Sequence, residues 1–364
     1  MAEPYKFIDI NASGPGIVTA AFANQVAYCE ASGATVTARI VAAFHDLLEA
    51  GEGGAVLDRI RTWSGAPLAD AVPLRIAGGI HSLHLTGDEP ALGAIYQGQP
   101  ADDAAILAAA LHRHEARLLP WLDGPPQTNE AGRSANFIAA MLWLAENGLP
   151  PRFECLEIGS SAGINLMLDR YHYDLGGVQV GPEPGAIRFA PEWQGDAPPD
   201  RSIEIVSTKG CDVAPVDLTD PDQATRLKAY IWPEHTVRFE RMEAAIAEAM
   251  KRAPDLVHMN AADFVEAELA KPQAEGTTRM LMHSIVWQYV PEDQQVRVTA
   301  AMKAAGARAT PDRPLAWVAL EANRVLHIHE MVVRYWPGGE QGEVVTRAHP
   351  HGAWIGWGGS DRVI

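Results

Sequence analysis

The sequence predicts an α/β protein in which a helical N-terminal region precedes a mostly parallel sheet. Two observations lead to this prediction. From about residue 130 onward, short apolar runs alternate with helical patterns, as in a doubly wound sheet. The first run, 153–158, is followed by a turn containing Gly159 and Gly163 and then by a helical pattern, which is the beginning of a βαβ unit.

Composition narrows the class of protein. At 364 residues the chain is long enough for about two domains, and its net charge of −17 argues against nucleic acid or an anionic membrane as the main partner. The three cysteines, Cys29, Cys155 and Cys211, are far apart, which favours reduced thiols over a disulfide framework or a zinc site. No signal peptide or long apolar run is visible, so a cytoplasmic location is expected.

The first domain is predicted to be helical and to cover residues 1–126. Apolar residues recur at helical spacing over 20–31 and 36–50, and Gly33 and Gly51 are the expected stops. A third helix is expected over 102–119, where Pro120 ends the pattern.

The second domain is predicted to cover 127–364. A helix over 130–146, with Asn129 as a possible cap, leads into the strand at 153–158. A Gly-, Pro- and Trp-rich insertion is expected at about 171–200. The last two strands form a hairpin that closes the sheet with antiparallel pairing. The further predicted strands are 203–207, 256–259, 280–286, 315–321, 329–335 and 343–346.

Polar residues follow four of the predicted parallel strands. Glu157 ends the first, Asp212 lies near the end of the second, Asp263 follows the third, and His283 with Ser284 ends the fourth. Because the carboxyl ends of parallel strands meet at one edge, these side chains are expected to share a crevice.

This pattern resembles the class I S-adenosylmethionine-dependent methyltransferases over about residues 130–364. The resemblance rests on an acidic residue before a glycine turn, here Glu157, Gly159 and Gly163, and on an acid after a small residue, here Ala262 and Asp263. It implies a Rossmann-like sheet whose first turn cradles the methionine part of S-adenosylmethionine. The cofactor-binding residues it implies are Glu157, Gly159, Ser160, Ser161, Gly163, Asn165, Asp212 and Asp263.

One spacing departs from the family pattern. The acid that binds the ribose normally follows the glycine turn by about 20 residues in a βαβ unit. Here the second strand arrives only after the insertion, so Asp212 is chosen over Asp174, which lies in a predicted turn.

The resemblance implies methyl transfer to a small acceptor. His283 is the first candidate for a general base or a positioning group, with Ser284 beside it, although a buried structural histidine is an equal alternative. Asn129, Arg133 and Asn136 are candidates to bind a polar or acidic group of the substrate. Trp287 and Tyr289 could line an apolar substrate pocket, and no metal site is expected.

Longer segments resemble an uncharacterised bacterial family of unknown function, which implies no assigned activity. The segments that carry this resemblance are 127–130, 231–233, 283–291 and 351–354.

Two other functions remain open. Residues 159–163 also match the G-x-S-x-G elbow of α/β-hydrolases, with Ser161 as nucleophile, a later acid, and a histidine such as His329 or His351. That elbow requires sheet strands before it, whereas the preceding 150 residues have helical patterns. The other alternative is a protein that binds a nucleoside, or nothing, and serves as a scaffold.

Overall fold

The computed structural model describes residues 8–14, 16–127 and 129–358. Thr128, part of the 127–130 segment, lies outside the described residues. The chain divides into two compact units, Met1–Thr128 with Asp220–Glu240, and Asn129–Thr219 with Arg241–Ile364. Its α-helices are α1 (Ile17–Ala31), α2 (Thr35–Glu49), α3 (Ala55–Arg61), α4 (Val72–Leu85), α5 (Gly93–Tyr96), α6 (Asp103–Arg113), α7 (Glu115–Leu118), α8 (Ser134–Glu146), α9 (Pro221–Ala229), α10 (Thr236–Lys251), α11 (Ala261–Leu269) and α12 (Glu292–Gly306).

The first unit is helical in its described residues, and it contains a segment that the sequence prediction assigned to the second domain. Ala229 and Tyr230 belong to the apolar core formed by α2, α4 and α6. Glu234 accepts hydrogen bonds from the backbone N–H groups of Val36 and Thr37, at 2.6 and 3.0 Å, and so caps the N-terminus of α2. Residues 220–240 therefore pack with helices far away in sequence, which periodicity cannot reveal.

The second unit is built on a sheet of nine strands in the described residues. Its order is β5-β12-β11-β10-β9-β8-β1-β6-β7. Five neighbouring strands, in the spatial order β9-β8-β1-β6-β7, are parallel to one another. β10 and β11 form an antiparallel hairpin, and β10 pairs antiparallel with β9. The twelve described strands are β1 (Arg152–Ile158), β2 (His172–Leu175), β3 (Val178–Val180), β4 (Arg188–Phe189), β5 (Glu192–Gln194), β6 (Glu204–Asp212), β7 (Leu256–His258), β8 (Thr278–Ser284), β9 (Leu315–Asn323), β10 (Ile328–Trp336), β11 (Gly339–Ala348) and β12 (Trp354–Trp357).

The predicted α/β class with a mostly parallel sheet and an antiparallel hairpin is confirmed, but the hairpin does not close the sheet, because β12 and β5 continue it beyond β11. Two strands beyond the hairpin, β12 and the edge strand β5, were not predicted, because each is short and β5 gains its hydrogen bonds from β12, which is distant in sequence. The insertion after β1 forms a second, three-stranded sheet of β2, β3 and β4.

Alternation along the strands gives the sheet two different faces. Leu156, Leu281 and Trp317 lie side by side on one face, in an apolar cluster with side chains of α11 and α12. The other face carries Glu157 and packs against α8, whose Asn136 accepts a hydrogen bond from Thr346 of β11. Neighbouring residues of one strand therefore serve different environments.

Candidate functional site

The turn after β1 is held by hydrogen bonds to the neighbouring strand β6. The N–H of Ser160 donates to the carbonyl of Cys211 at 3.0 Å, and the N–H of Ser161 donates to the carboxylate of Asp212 at 2.8 Å. Ser161 has a φ of 51°, in the left-handed region that non-glycine residues seldom adopt. The carboxyl ends of β1 and β6 are therefore fixed to one another through this turn.

The two glycines of the turn are required by contacts within the protein. Gly159 has a φ of +66°, and a Cβ built on it would lie 2.2 Å from Val286 in the loop after β8. Gly163 has a φ of +71°, and its Cβ would lie 2.8 Å from Pro254. The turn therefore packs against the loop that follows β8. This loop and the turn lie where the strand order reverses, between β1 and β8.

Glu157 and Asn165 form a buried polar pair beside this turn. They are 2% and 1% exposed, and Asn165 Nδ2 donates to Glu157 Oε1 at 3.2 Å. Glu157 Oε2, Asn165 Oδ1 and the Ser161 hydroxyl are buried without a hydrogen-bond partner among the described residues. Burial raises the pKa of Glu157 from its ordinary 4.5 to about 7, although Asn165 and Arg133 favour the charged form.

These unpartnered atoms have a defined hydrogen-bonding capacity. When Glu157 is ionised, Glu157 Oε2 and Asn165 Oδ1 are two unsatisfied acceptors of one hydrogen-bonded pair and can receive N–H groups of an ammonium ion. When Glu157 is protonated, its own hydroxyl can act as a donor, and Asn165 Oδ1 is the unsatisfied acceptor of the pair. The pair can therefore bind either a proton or a small cationic group.

The polar residues predicted at the start of α8 are buried, and they have different partners. Asn129 Oδ1 accepts from the N–H of Ile164 at 2.9 Å, so it caps the segment after the turn and not α8. Arg133 donates to the carbonyls of Pro350 and Ser284, at 2.9 and 3.3 Å. Asn136 is fully buried, and its Nδ2 has no partner among the described residues.

The two acids predicted to hold the nucleoside have different surroundings. Both carboxylate oxygens of Asp212 accept from backbone N–H groups, those of Ser161 and Ala214. Asp263 lies in the first turn of α11, is half exposed, and is ion-paired with Arg297 at 2.6 Å. Hydrogen bonds from Arg297 and Asn260 lower the pKa of Asp263. Asp212 is therefore part of the turn, whereas Asp263 is engaged with α12.

His283 and Ser284 lie on opposite faces of the sheet. Ser284 shares the face of Met282 and Glu157, whereas His283 lies beside Ala319 on the face of α12. Adjacent strand residues point to opposite faces, so they cannot both point into one crevice. The sequence prediction placed them together because it considered only their position at the end of the strand.

Both ring nitrogens of His283 have partners. Nδ1 lies 2.7 Å from Glu321 Oε1, and the indole N–H of Trp317 donates to Nε2 at 3.0 Å. Because an indole N–H can only donate, Nε2 is the unprotonated nitrogen and Nδ1 carries the proton donated to Glu321. The histidine therefore supports Glu321, which also accepts from the N–H groups of Val286 and Trp287.

The predicted aromatic substrate residues are in different environments. Trp287 stacks on His283 at 5.2 Å between ring centroids, whereas Tyr289 is 74% exposed. Trp317 and Arg334, which lie directly opposite one another on β9 and β10, were missed by the sequence prediction. The available signal was alternation, since Trp317 shares its strand face with Glu321, and Arg334 shares its strand face with Glu330 and Trp336.

These features define an α/β protein with a buried polar site at the carboxyl edge of a mostly parallel sheet. Residues 19–357 match the family described as "uncharacterized protein conserved in bacteria (DUF2332)", and the chain belongs to that family. No curated protein and no solved structure matches the chain. Within the described residues, no helix has the length and apolar character needed to cross a membrane.

Proposed function

We propose that this protein binds S-adenosylmethionine beside Glu157 and transfers its methyl group to a small acceptor. The observation that carries the proposal is the buried set of unpartnered atoms, Glu157 Oε2, Asn165 Oδ1 and the Ser161 hydroxyl. The methionine part of the cofactor carries an ammonium group with three N–H donors, and these acceptors fit such a group.

The sheet topology supports the same position. The five neighbouring parallel strands β1, β6, β7, β8 and β9 can be numbered 1 to 5 in chain order. Their order across the sheet is then 3-2-1-4-5, which matches the first five strands of a doubly wound nucleotide-binding sheet. Ligands of such sheets bind where the strand order reverses. Here the reversal lies between β1 and β8, where the glycine turn contacts Val286.

The fit is weaker for the nucleoside part. Asp212 has accepted one backbone N–H on each oxygen, so only its remaining lone pairs could receive ribose hydroxyls. Asp263 would first have to release Arg297. The methionine end of the site therefore supports the proposal more strongly than the adenosine end.

The cofactor, when bound, supplies the methyl group and its leaving group, so alignment is the protein's main task. Ser284 lies on the Glu157 face, and we assign it the positioning of the acceptor. Arg133, anchored on the carbonyls of Pro350 and Ser284, is held where it can attract an acidic group. His283 would act indirectly, by orienting Glu321 and the loop after β8.

We expect calorimetric binding of S-adenosylmethionine and S-adenosylhomocysteine to the wild-type protein, and roughly tenfold to hundredfold weaker binding to Glu157→Gln. The glutamine keeps the shape but removes a charge-assisted hydrogen bond worth roughly 1.5–3 kcal/mol. The matched control is Glu268→Gln, which changes a buried glutamate of α11 and should leave affinity unchanged. Absence of binding at millimolar ligand would rule out the proposal.

One observation favours a hydrolase as the second candidate, because Ser161 combines a φ of 51° with a buried hydroxyl. Its hydroxyl lacks a histidine partner among the described residues, and the described chain contributes no strand before β1. We therefore expect no labelling of Ser161 by a fluorophosphonate. Labelling of Ser161 without cofactor binding would favour an esterase over the methyltransferase. The absence of both labelling and cofactor binding would favour a scaffold.

A further inference from the structure

A groove of about 620 Å³ lies on the face of the sheet opposite Glu157. It is walled by residues of β9 and β10, by α12 and by the loop after β8. Its volume is within the range of sites that bind small molecules. Because it occupies the other face, it does not depend on the function proposed above.

Indole rings form the apolar part of the groove. Trp287, Trp317 and Trp336 all line it, and the ring centroids of Trp287 and Trp317 are 5.7 Å apart in an edge-on arrangement. Trp317 and Trp336 are 8% and 7% exposed, so packing fixes them and only part of each ring faces the groove. Rigid aromatic walls of this kind bind a flat apolar group at small entropic cost.

Two cations line the same groove without an ionic partner. Arg334 places its guanidinium 5.8 Å from the centroid of Trp317, and Lys303 extends from α12. No acidic side chain among the described residues forms an ion pair with either. Most other arginines of this acidic chain have a carboxylate or carbonyl partner, so an arginine without an ion pair beside apolar walls is unusual.

The three carboxylates that line the groove are engaged to different extents. Glu321 accepts from His283 and from two backbone N–H groups. Glu330 accepts from Asn323 and pairs with Arg347, and Glu340 accepts from the N–H of Gly338. Among the described residues, Glu330 therefore has a partner on each oxygen and Glu321 and Glu340 on Oε1 alone, while Arg334 and Lys303 are the charged donors that remain unpaired in the groove.

We propose that this groove binds a small amphipathic organic anion, with its apolar body against the tryptophans and its acidic group on Arg334 and Lys303. Arg334 is the better placed of the two, because a planar guanidinium already stacked on an indole can still form a bidentate pair with a carboxylate.

The test uses three probes of equal size and different charge: 3-phenylpropionate, 3-phenylpropionamide and 3-phenylpropylamine. Calorimetry on the wild-type protein should show that the carboxylate binds at least tenfold more tightly than the amide or the amine, and less tightly as salt is added. Equal or tighter binding of the amine, or no binding of the carboxylate at 5 mM (roughly the limit for a fragment-sized ligand), would overturn the proposal.

Two variants locate the anion. Arg334→Gln and Lys303→Gln should each weaken binding of 3-phenylpropionate, with the larger loss, about tenfold, for Arg334→Gln. Lys303 is exposed, so its variant is expected to fold even if Arg334→Gln proves unstable. The control is Arg308→Gln, an exposed arginine just after α12 that does not line the groove. The assignment of the acidic group to Arg334 and Lys303 would be contradicted if Lys303→Gln bound 3-phenylpropionate with unchanged affinity and Arg334→Gln either did the same or did not fold.

Discussion

Replacing Glu157 by glutamine is expected to stabilise the protein increasingly as the pH rises. Burial raises the pKa of Glu157 to about 7 in the folded protein, against an ordinary value of 4.5. Between these values the folded state holds a proton that the unfolded state has lost, so wild-type stability falls as the pH rises through this window. Asn165 and Arg133 favour the charged carboxyl, but burial, reinforced by the negative charge of Asp212, outweighs them.

The glutamine imitates the protonated acid, because its carbonyl can accept from Asn165 and its amide can donate back. At 1.36 kcal/mol per pKa unit, the stability difference between variant and wild type should grow by about 2–3 kcal/mol from pH 5 to pH 8. Urea denaturation at several pH values measures this difference. A difference that stays constant with pH would show that Glu157 is ionised in the folded protein.

Glu268→Gln provides a control of opposite sign. Burial opposes ionisation of Glu268, but hydrogen bonds from Lys271 and Lys209 prevail and lower its pKa. The ionised carboxylate of Glu268 therefore adds to the free energy of unfolding at pH values above its pKa in the unfolded chain. This contribution is lost as the pH falls through the lower pKa of the folded protein. The variant should lose stability relative to wild type at pH 8 and approach it in acid.

Gly159→Ala is expected to lose about 2–5 kcal/mol of stability, from roughly 1–2 kcal/mol for a left-handed alanine and roughly 1–3 kcal/mol for overpacking. The φ of +66° accounts for the first contribution, and the Cβ position 2.2 Å from Val286 accounts for the second. Denaturant unfolding with an unchanged m-value would measure the loss.

A second glycine separates the two contributions. Gly148 has a φ of +87° but no atom within 4 Å of a built Cβ, so Gly148→Ala should lose only the backbone contribution. Val286→Ala should partly rescue Gly159→Ala, with a coupling energy of about 1 kcal/mol or more in a double-mutant cycle. Equal losses for the two glycine variants, with no coupling, would mean that the turn does not pack on the loop after β8.

Much of the fold follows from local pattern. The run at 153–158, the glycine turn and the later strands were predictable, because buried parallel strands are short apolar segments bounded by turns. The helix predicted over 102–119 is instead α6 and α7, separated at His114, whose φ of −116° interrupts the pattern. An apolar stripe that continues across a break looks like a single helix in the sequence.

The sequence by itself determined that an acid precedes a glycine turn and that polar groups follow the parallel strands. Only the tertiary structure decided which of them meet: Glu157 with Asn165, Ser284 on their side, and His283 with Trp317 and Arg334 on the other. It also decided that residues 220–240 pack with the first helices. The physical reason is that spacing along a strand fixes the face of each side chain, whereas partners are chosen by strand order, which depends on contacts distant in sequence.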